Sequence, residues 1–173
     1  MTLRTDLALS LAVVAMALGL TACSKPAPAS DTVAVRFSKV PLEVLLPLGW
    51  SQSRNSSQWL VYRPVDGGAL AAMTGEKDCS LVEKRLYTAM LDLGLTNVLW
   101  SSAPRTTELH GLDATVAEGT AEESGKQARV RYALARAPKR MGCLLTLVTV
   151  WEAKHVELGR AADAILESVR PSE

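Results

Sequence analysis

Three cysteines carry most of the reactive chemistry available to this chain of 173 residues: Cys23, Cys79 and Cys143. A cysteine can be acylated, oxidised to a bridge, or used as a nucleophile when a cationic neighbour favours its thiolate. Beyond them the inventory thins. Only two histidines are present, His110 and His155, and they lack the spacing of metal ligands. His110 precedes Gly111, as a turn residue does. His155 lies between Glu152 and Glu157, which reads as a surface group in preference to a metal corner. Asp66, Glu76 and Asp78 form a second candidate cluster, but Asp78 precedes a helix start, where acids complement the helix dipole. There is no Gly-x-Ser-x-Gly elbow, P-loop or dinucleotide fingerprint. The expectation is a chain with no catalytic residues, no metal and no cofactor.

Cys23 is set apart by what precedes it. Residues 7–20 are an apolar run broken by Ser10 and Gly19. The run is shorter than the roughly 20 residues that a membrane-spanning helix needs, and fits a signal-peptide core. Arg4 and the start amine precede it. Leu20-Thr21-Ala22-Cys23 then resembles the lipobox of a bacterial lipoprotein. That resemblance implies cleavage after Ala22, lipidation of Cys23 and attachment to a membrane through the N-terminal lipid. Ser24, where an aspartate would favour inner-membrane retention, points to the outer membrane, on its periplasmic side. Residues 23–31 then form a linker rich in proline and alanine, an extended spacer of about 3.1 Å per residue.

Export changes the meaning of the other two cysteines. In an oxidising compartment Cys79 and Cys143 read as a disulfide. Closing so long a loop contributes roughly 4 kcal/mol in the chain-entropy model. A reactive thiol is the alternative, with Lys77 and Arg140 as nearby cations. The formal net charge is +1, without the basic excess of a nucleic-acid binder, so no nucleic-acid partner is expected.

The elements that must position these residues are legible as periodicities. Val33, Val35 and Phe37 alternate as a half-buried strand does, and residues 41–47 and 58–63 read as further strands. Asp66-Gly67-Gly68 is a turn signal before a returning strand over 68–74. Ser80-Leu81-Val82-Glu83 fits a capping box. Val82, Leu86, Met90 and Leu93 follow at helical spacing, with Gly94 as the terminating residue. A strand over 97–101 comes next. Residues 112–123 and 126–137 flank Ser124-Gly125 as a hairpin. In that register Glu123 faces Lys126, Glu118 faces Arg131 and Asp113 faces Arg136, three opposite-charge pairs. One face of the hairpin carries Thr115, Ala117, Gly119 and Ala121, with room for a helix. The other carries Glu118, Thr120, Glu122, Gln127, Arg129 and Arg131 and reads as solvated. Residues 143–151 are near-continuously apolar, the mark of a central strand. A last helix spans 157–169.

This order predicts one α+β domain over 32–173, an antiparallel β-sheet with two main helices packed on it. Leu46-Pro47-Leu48-Gly49-Trp50, His110-Gly111-Leu112-Asp113-Ala114 and Ile165-Leu166-Glu167-Ser168-Val169-Arg170 resemble the Mog1/PsbP-like fold. The resemblance implies a scaffold used for protein binding, with no common active site. The functional expectation is a non-enzymatic accessory or protein-binding module of a cell-envelope assembly, of the secretion, transport or motility type. A small-ligand or lipid binder is the first alternative, and a hydrolase or thiol redox enzyme the second. Trp59 and Trp100 are expected in the core. Trp50 and Trp151, at strand edges, join Arg136, Lys139 and Arg140 as the candidate partner-binding surface. Lys154 is grouped with those cations.

Overall fold

The computed structural model describes residues 31–55, 59–76, 82–138 and 144–172. The lipobox, Cys23, Cys79, Cys143, Asp78, Ser80, Lys139 and Arg140 lie outside them.

Eleven strands and two helices are described: β1 (Thr32–Arg36), β2 (Leu42–Pro47), β3 (Trp50–Asn55), β4 (Leu60–Pro64), β5 (Ala69–Glu76), α1 (Val82–Asp92), β6 (Leu95–Trp100), β7 (Arg105–Leu109), β8 (Leu112–Glu123), β9 (Lys126–Arg136), β10 (Leu144–Glu152), α2 (Val156–Glu167) and β11 (Arg170–Pro171). They form an eight-stranded sheet in the order β3-β4-β5-β10-β9-β8-β6, with β7 beside β8, and a small sheet β1-β2-β11. All the described strand pairings are antiparallel. The α+β expectation holds. Strands β3, β7 and β11 add to it, because polar Trp50–Asn55, Arg105–Leu109 and the two-residue β11 give no apolar alternation.

Strand β10 sits between β5 and β9 and is buried from Leu144 to Trp151. Its alternate side chains feed two cores. Leu145 and Leu147 join Met73, Val44, Ile165 and Val169 under α2 and the small sheet. Leu144, Val148 and Val150 join Trp59, Leu70, Val130, Ala89 and Met90 under α1. A strand covered on both faces has no polar positions to spare, which is why its sequence is unbroken by charge.

The small sheet is tied together by one buried carboxylate and joined to the end of α2 by one hydroxyl. Glu43 is buried on β2 and accepts hydrogen bonds from Arg36 Nε on β1 at 3.0 Å and Arg170 Nε on β11 at 2.8 Å. These guanidinium hydrogen bonds, Arg170 first, hold its carboxyl below the usual range against the opposing effect of burial. Ser168, just past α2, accepts the Leu45 amide at 2.9 Å.

The β8–β9 hairpin has the expected register: Glu118 is opposite Arg131 and Glu123 opposite Lys126. Ser124 and Gly125 both take positive φ, 51° and 76°, as a two-residue hairpin turn demands. Glu118 bonds Arg131 Nε at 2.9 Å. The second pair divides: Arg63 donates to Glu123 at 2.7 Å, and Lys126 to Glu152 at 2.9 Å. The space left at Gly119 accommodates another strand, not a helix. A Cβ there would stand 2.3 Å from the Leu99 carbonyl oxygen. Strand β6 bulges between Thr96 and Leu99, with Asn97 at φ 51°, and brings its backbone over that glycine.

Gly119→Ala therefore forces β6 away from β8. The expected cost is about 2–4 kcal/mol, read as a lowered urea midpoint. An unchanged midpoint would contradict the close approach.

Candidate functional site

The side chains on the α2 side of the hairpin meet α2 instead of water alone. Arg131 is the centre of that meeting. It rises from β9, pairs with Glu118 on β8 and with Asp163 on α2, and lies 5.6 Å from the centroid of the Trp151 ring. Guanidinium over indole at that range is a cation–π contact. Trp151 is itself only 8% exposed and packs with Ala69, Ala162, Leu158 and Trp50. Its indole fits because Gly159 offers no side chain: a Cβ there would be 3.0 Å from Nε1.

Two adjoining surface grooves meet at this cluster and share Glu118, Arg131 and Asp163. One, of about 490 Å³, is lined further by Ser102, Arg105 and Glu167. The other, of about 320 Å³, runs along Arg129, Trp151 and Arg160. Both are charged and open at the surface. Strand β6 pairs with β8, and Ser102, just past its end, lines the first groove. It is the last strand of its sheet, and among the described residues nothing pairs with its outer edge. Leu99 and Trp100 stand there 69% and 38% exposed. The Trp100 ring meets Tyr132 edge-on, with centroids 5.1 Å apart.

The candidate residues from the sequence separate accordingly. Trp59 is buried as expected, its indole donating to Asp92 at 3.3 Å. Trp100 is not core, because the edge position of β6 leaves one side of its ring uncovered. Trp151 is not a surface residue: α2 turns back over the end of β10 and covers it. Trp50 is half-buried against both Trp151 and the α2-side core. Arg136 is exposed and pairs with Leu144, at the start of β10, whereas Lys154 follows the other end of that strand. The two cations lie some 27 Å apart, taking about 3.4 Å per residue, so no single basic group includes both. Lys139 and Arg140, outside the described residues, follow Arg136 in sequence.

His110 occupies the β7–β8 turn at φ 48° beside Gly111 at φ 79°, the turn role expected of it. His155 is the N-cap residue of α2. It lies 3.7 Å from Glu152 and 3.4 Å from Glu157, near Lys154, which bonds Glu152 at 3.0 Å. Among the described residues no three histidines, cysteines or carboxylates converge as a metal set. The Arg131–Asp163 contact was not legible beforehand. Asp163 is one polar residue on an amphipathic helix, and its partner comes from a strand 32 positions earlier.

No protein-family model and no curated protein matches this chain. Solved structures do. The cyanobacterial PsbP protein CyanoP from Synechocystis sp. PCC 6803 matches with a TM-score of 0.57 at 14% identity, over 88% of this chain and 98% of that one. The Ran-binding protein Mog1p of Saccharomyces cerevisiae matches with a TM-score of 0.54 at 8% identity, over 84% and 97%. A protein from Bacteroides thetaiotaomicron matches with a TM-score of 0.52 at 8% identity, over 77% of this chain and 46% of that chain, so this chain spans about half its length. What is shared at such identities is the fold, and the Mog1/PsbP-like architecture is met.

The Glu152 cluster makes a pH prediction. Hydrogen bonds from Lys126 and then Lys154 lower its pKa to about 2, against roughly 4.3 in an unfolded chain. A lowered folded pKa stabilises the fold above the unfolded value, and that contribution is lost as pH falls through about 2. Thermal midpoints between pH 5 and 2 should fall less steeply for Glu152→Gln than for the native chain. Parallel curves would contradict the assignment.

Proposed function

We propose that this chain is a membrane-anchored, non-enzymatic binding module of a cell-envelope assembly, held at the outer membrane through lipidated Cys23. The observation that carries the binding role is the exposed Leu99–Trp100 pair on an unpaired sheet edge, with the Arg131 groove on the α2 face of the same sheet. Tryptophan and arginine are the side chains most enriched among interface hot spots. An edge strand with exposed apolar groups is also a template for a partner. Mog1p, which shares this fold, is a Ran-binding protein, so protein recognition is a use the scaffold supports. The partner here is an envelope protein engaging the β6 edge and the groove.

The lipid-binding alternative needs an apolar enclosure between sheet and helix. Met73, Leu147 and Ile165 occupy that layer at 0% exposure, and the grooves described are charged. This favours the protein partner. A Cys79–Cys143 disulfide belongs to the same proposal. Glu76 and Leu144 are register partners on β5 and β10, so the chain leaves the described residues toward both cysteines from one end of adjacent strands.

Affinity capture from detergent-solubilised membranes tests the reading. The native lipoprotein should return a reproducible envelope protein. Trp100→Ala and Arg131→Ala should each weaken capture about tenfold or more while the fold is retained. Repeated capture of nothing, or capture indifferent to both substitutions, would contradict it.

A further inference from the structure

We infer that one end of the domain, formed by the turns at Leu48, Val65 and Val156, rests on the lipid surface to which Cys23 is anchored. The inference rests on the lipidation reading above and goes beyond it, because an anchor alone leaves the domain free to face any way.

The chain enters the fold at Asp31. The carbonyl of Asp31 accepts the Leu48 amide at 2.9 Å, which fixes the end of the linker to the β2–β3 turn. That turn shares one end of the sheet with three others. Trp50 pairs with Pro64, which leads into the β4–β5 turn; Ala69 pairs with Trp151, and Trp151 with Arg129 near the β8–β9 tip. The Glu152 amide donates to the Gly68 carbonyl at 2.8 Å, joining the β4–β5 turn to the start of α2.

This end is also where apolar side chains are left uncovered. Val65 is 82% exposed, Val156 65% and Leu48 59%, and Val33 on β1 is nearby at 53%. These are four of the seven large hydrophobic residues described as exposed. At the opposite end Val40, Leu109, Leu112 and Ala137, next to the turns, are buried, and Phe37 is half-buried. The asymmetry distinguishes a docking face from the scattered apolar exposure of any surface. Charges of both signs flank it, with Asp66 and Glu157 exposed beside Val65 and Val156 and two lysines farther out. Lys126 and Lys154 project outward while Glu152, their shared counter-ion, is recessed behind them. Exposed lysines around inserted aliphatic groups suit an interface of acyl chains and anionic headgroups.

The tether excludes the reverse orientation. Asp31 is eight residue steps from Cys23, a reach of about 25 Å in an extended proline-rich chain. The β8 strand alone runs 12 residues, about 37 Å from the hairpin tip to the His110 turn. A chain fixed at Leu48 cannot carry the His110 end to the bilayer. The aliphatic turns lie within its reach without any unfolding.

The test uses the full lipoprotein, reconstituted in vesicles of phosphatidylethanolamine and phosphatidylglycerol that contain a lipid with a photoreactive acyl chain. Adducts are mapped by mass spectrometry after flotation. Peptides containing Leu48, Val65 and Val156 should carry about tenfold more adducts than those containing His110 or Arg136. Leu48→Ser, Val65→Ser and Val156→Ser combined should remove that excess, with flotation and circular dichroism unchanged. Flotation with even labelling of both ends overturns the docking face and leaves the anchor standing. Loss of flotation overturns both. Cross-links between two copies at these turns, in place of lipid adducts, would assign the face to self-association and also overturn the inference.

Discussion

Complete burial of β10 is the constraint from which the rest of this structure follows. A strand paired on both edges and covered on both faces must be apolar at nearly every position, and Leu144 to Trp151 satisfy that apart from Thr146 and Thr149. Its alternating side chains require one covering layer on each side. Helix α1 supplies one, and α2 with the small sheet supplies the other. The Arg36–Glu43–Arg170 ladder and Ser168 then hold the small sheet in place. Arg170 and Ser168 reach β2 from 127 and 123 positions away, so this layer closes only when the C-terminal segment has returned to β2.

The same strand orients the functional surfaces. Its last residues deliver Trp151 to Gly159 and direct α2 back across the sheet, which sets Asp163 against Arg131 and opens the charged grooves. Strand β6 ends the sheet and remains an edge, with Leu99 and Trp100 uncovered. At one end of β10 lie the linker entry and the exposed aliphatic turns; at the other lie His110, Arg136 and the chain segments that lead to Cys79 and Cys143. The proposed lipid-facing turns and the proposed lateral binding edge are then separate surfaces.

Local patterns carried much of this into the sequence. The β8–β9 register followed from Ser124-Gly125 and the opposing charges, because turn geometry and side-chain alternation act within a few residues. Trp59 and Gly94 were readable for the same reason. Long-range choices were not. Whether Trp100 or Trp151 is covered depends on which element ends the sheet and where α2 crosses, and neither leaves a local signal. Gly119 looked like room for a helix, yet the residue that needed the room was the backbone of Leu99. The polar strand β3 and the short β11 also lack an apolar period, since edge strands need only one covered side. Of the candidate site, Glu118–Arg131 was visible as a register pair, while Asp163 and Arg105 arrive from other elements.

The proposed protein is a folded module held to a membrane by Cys23, with Cys79 and Cys143 joined. Intact-mass spectrometry of the protein extracted from bacterial membranes without reductant tests this most directly. The predicted species lacks residues 1–22, carries acyl groups on Cys23 and is lighter than the reduced chain by the two hydrogens lost in bridging Cys79 to Cys143. An unacylated chain with free thiols at Cys79 and Cys143 would contradict the account.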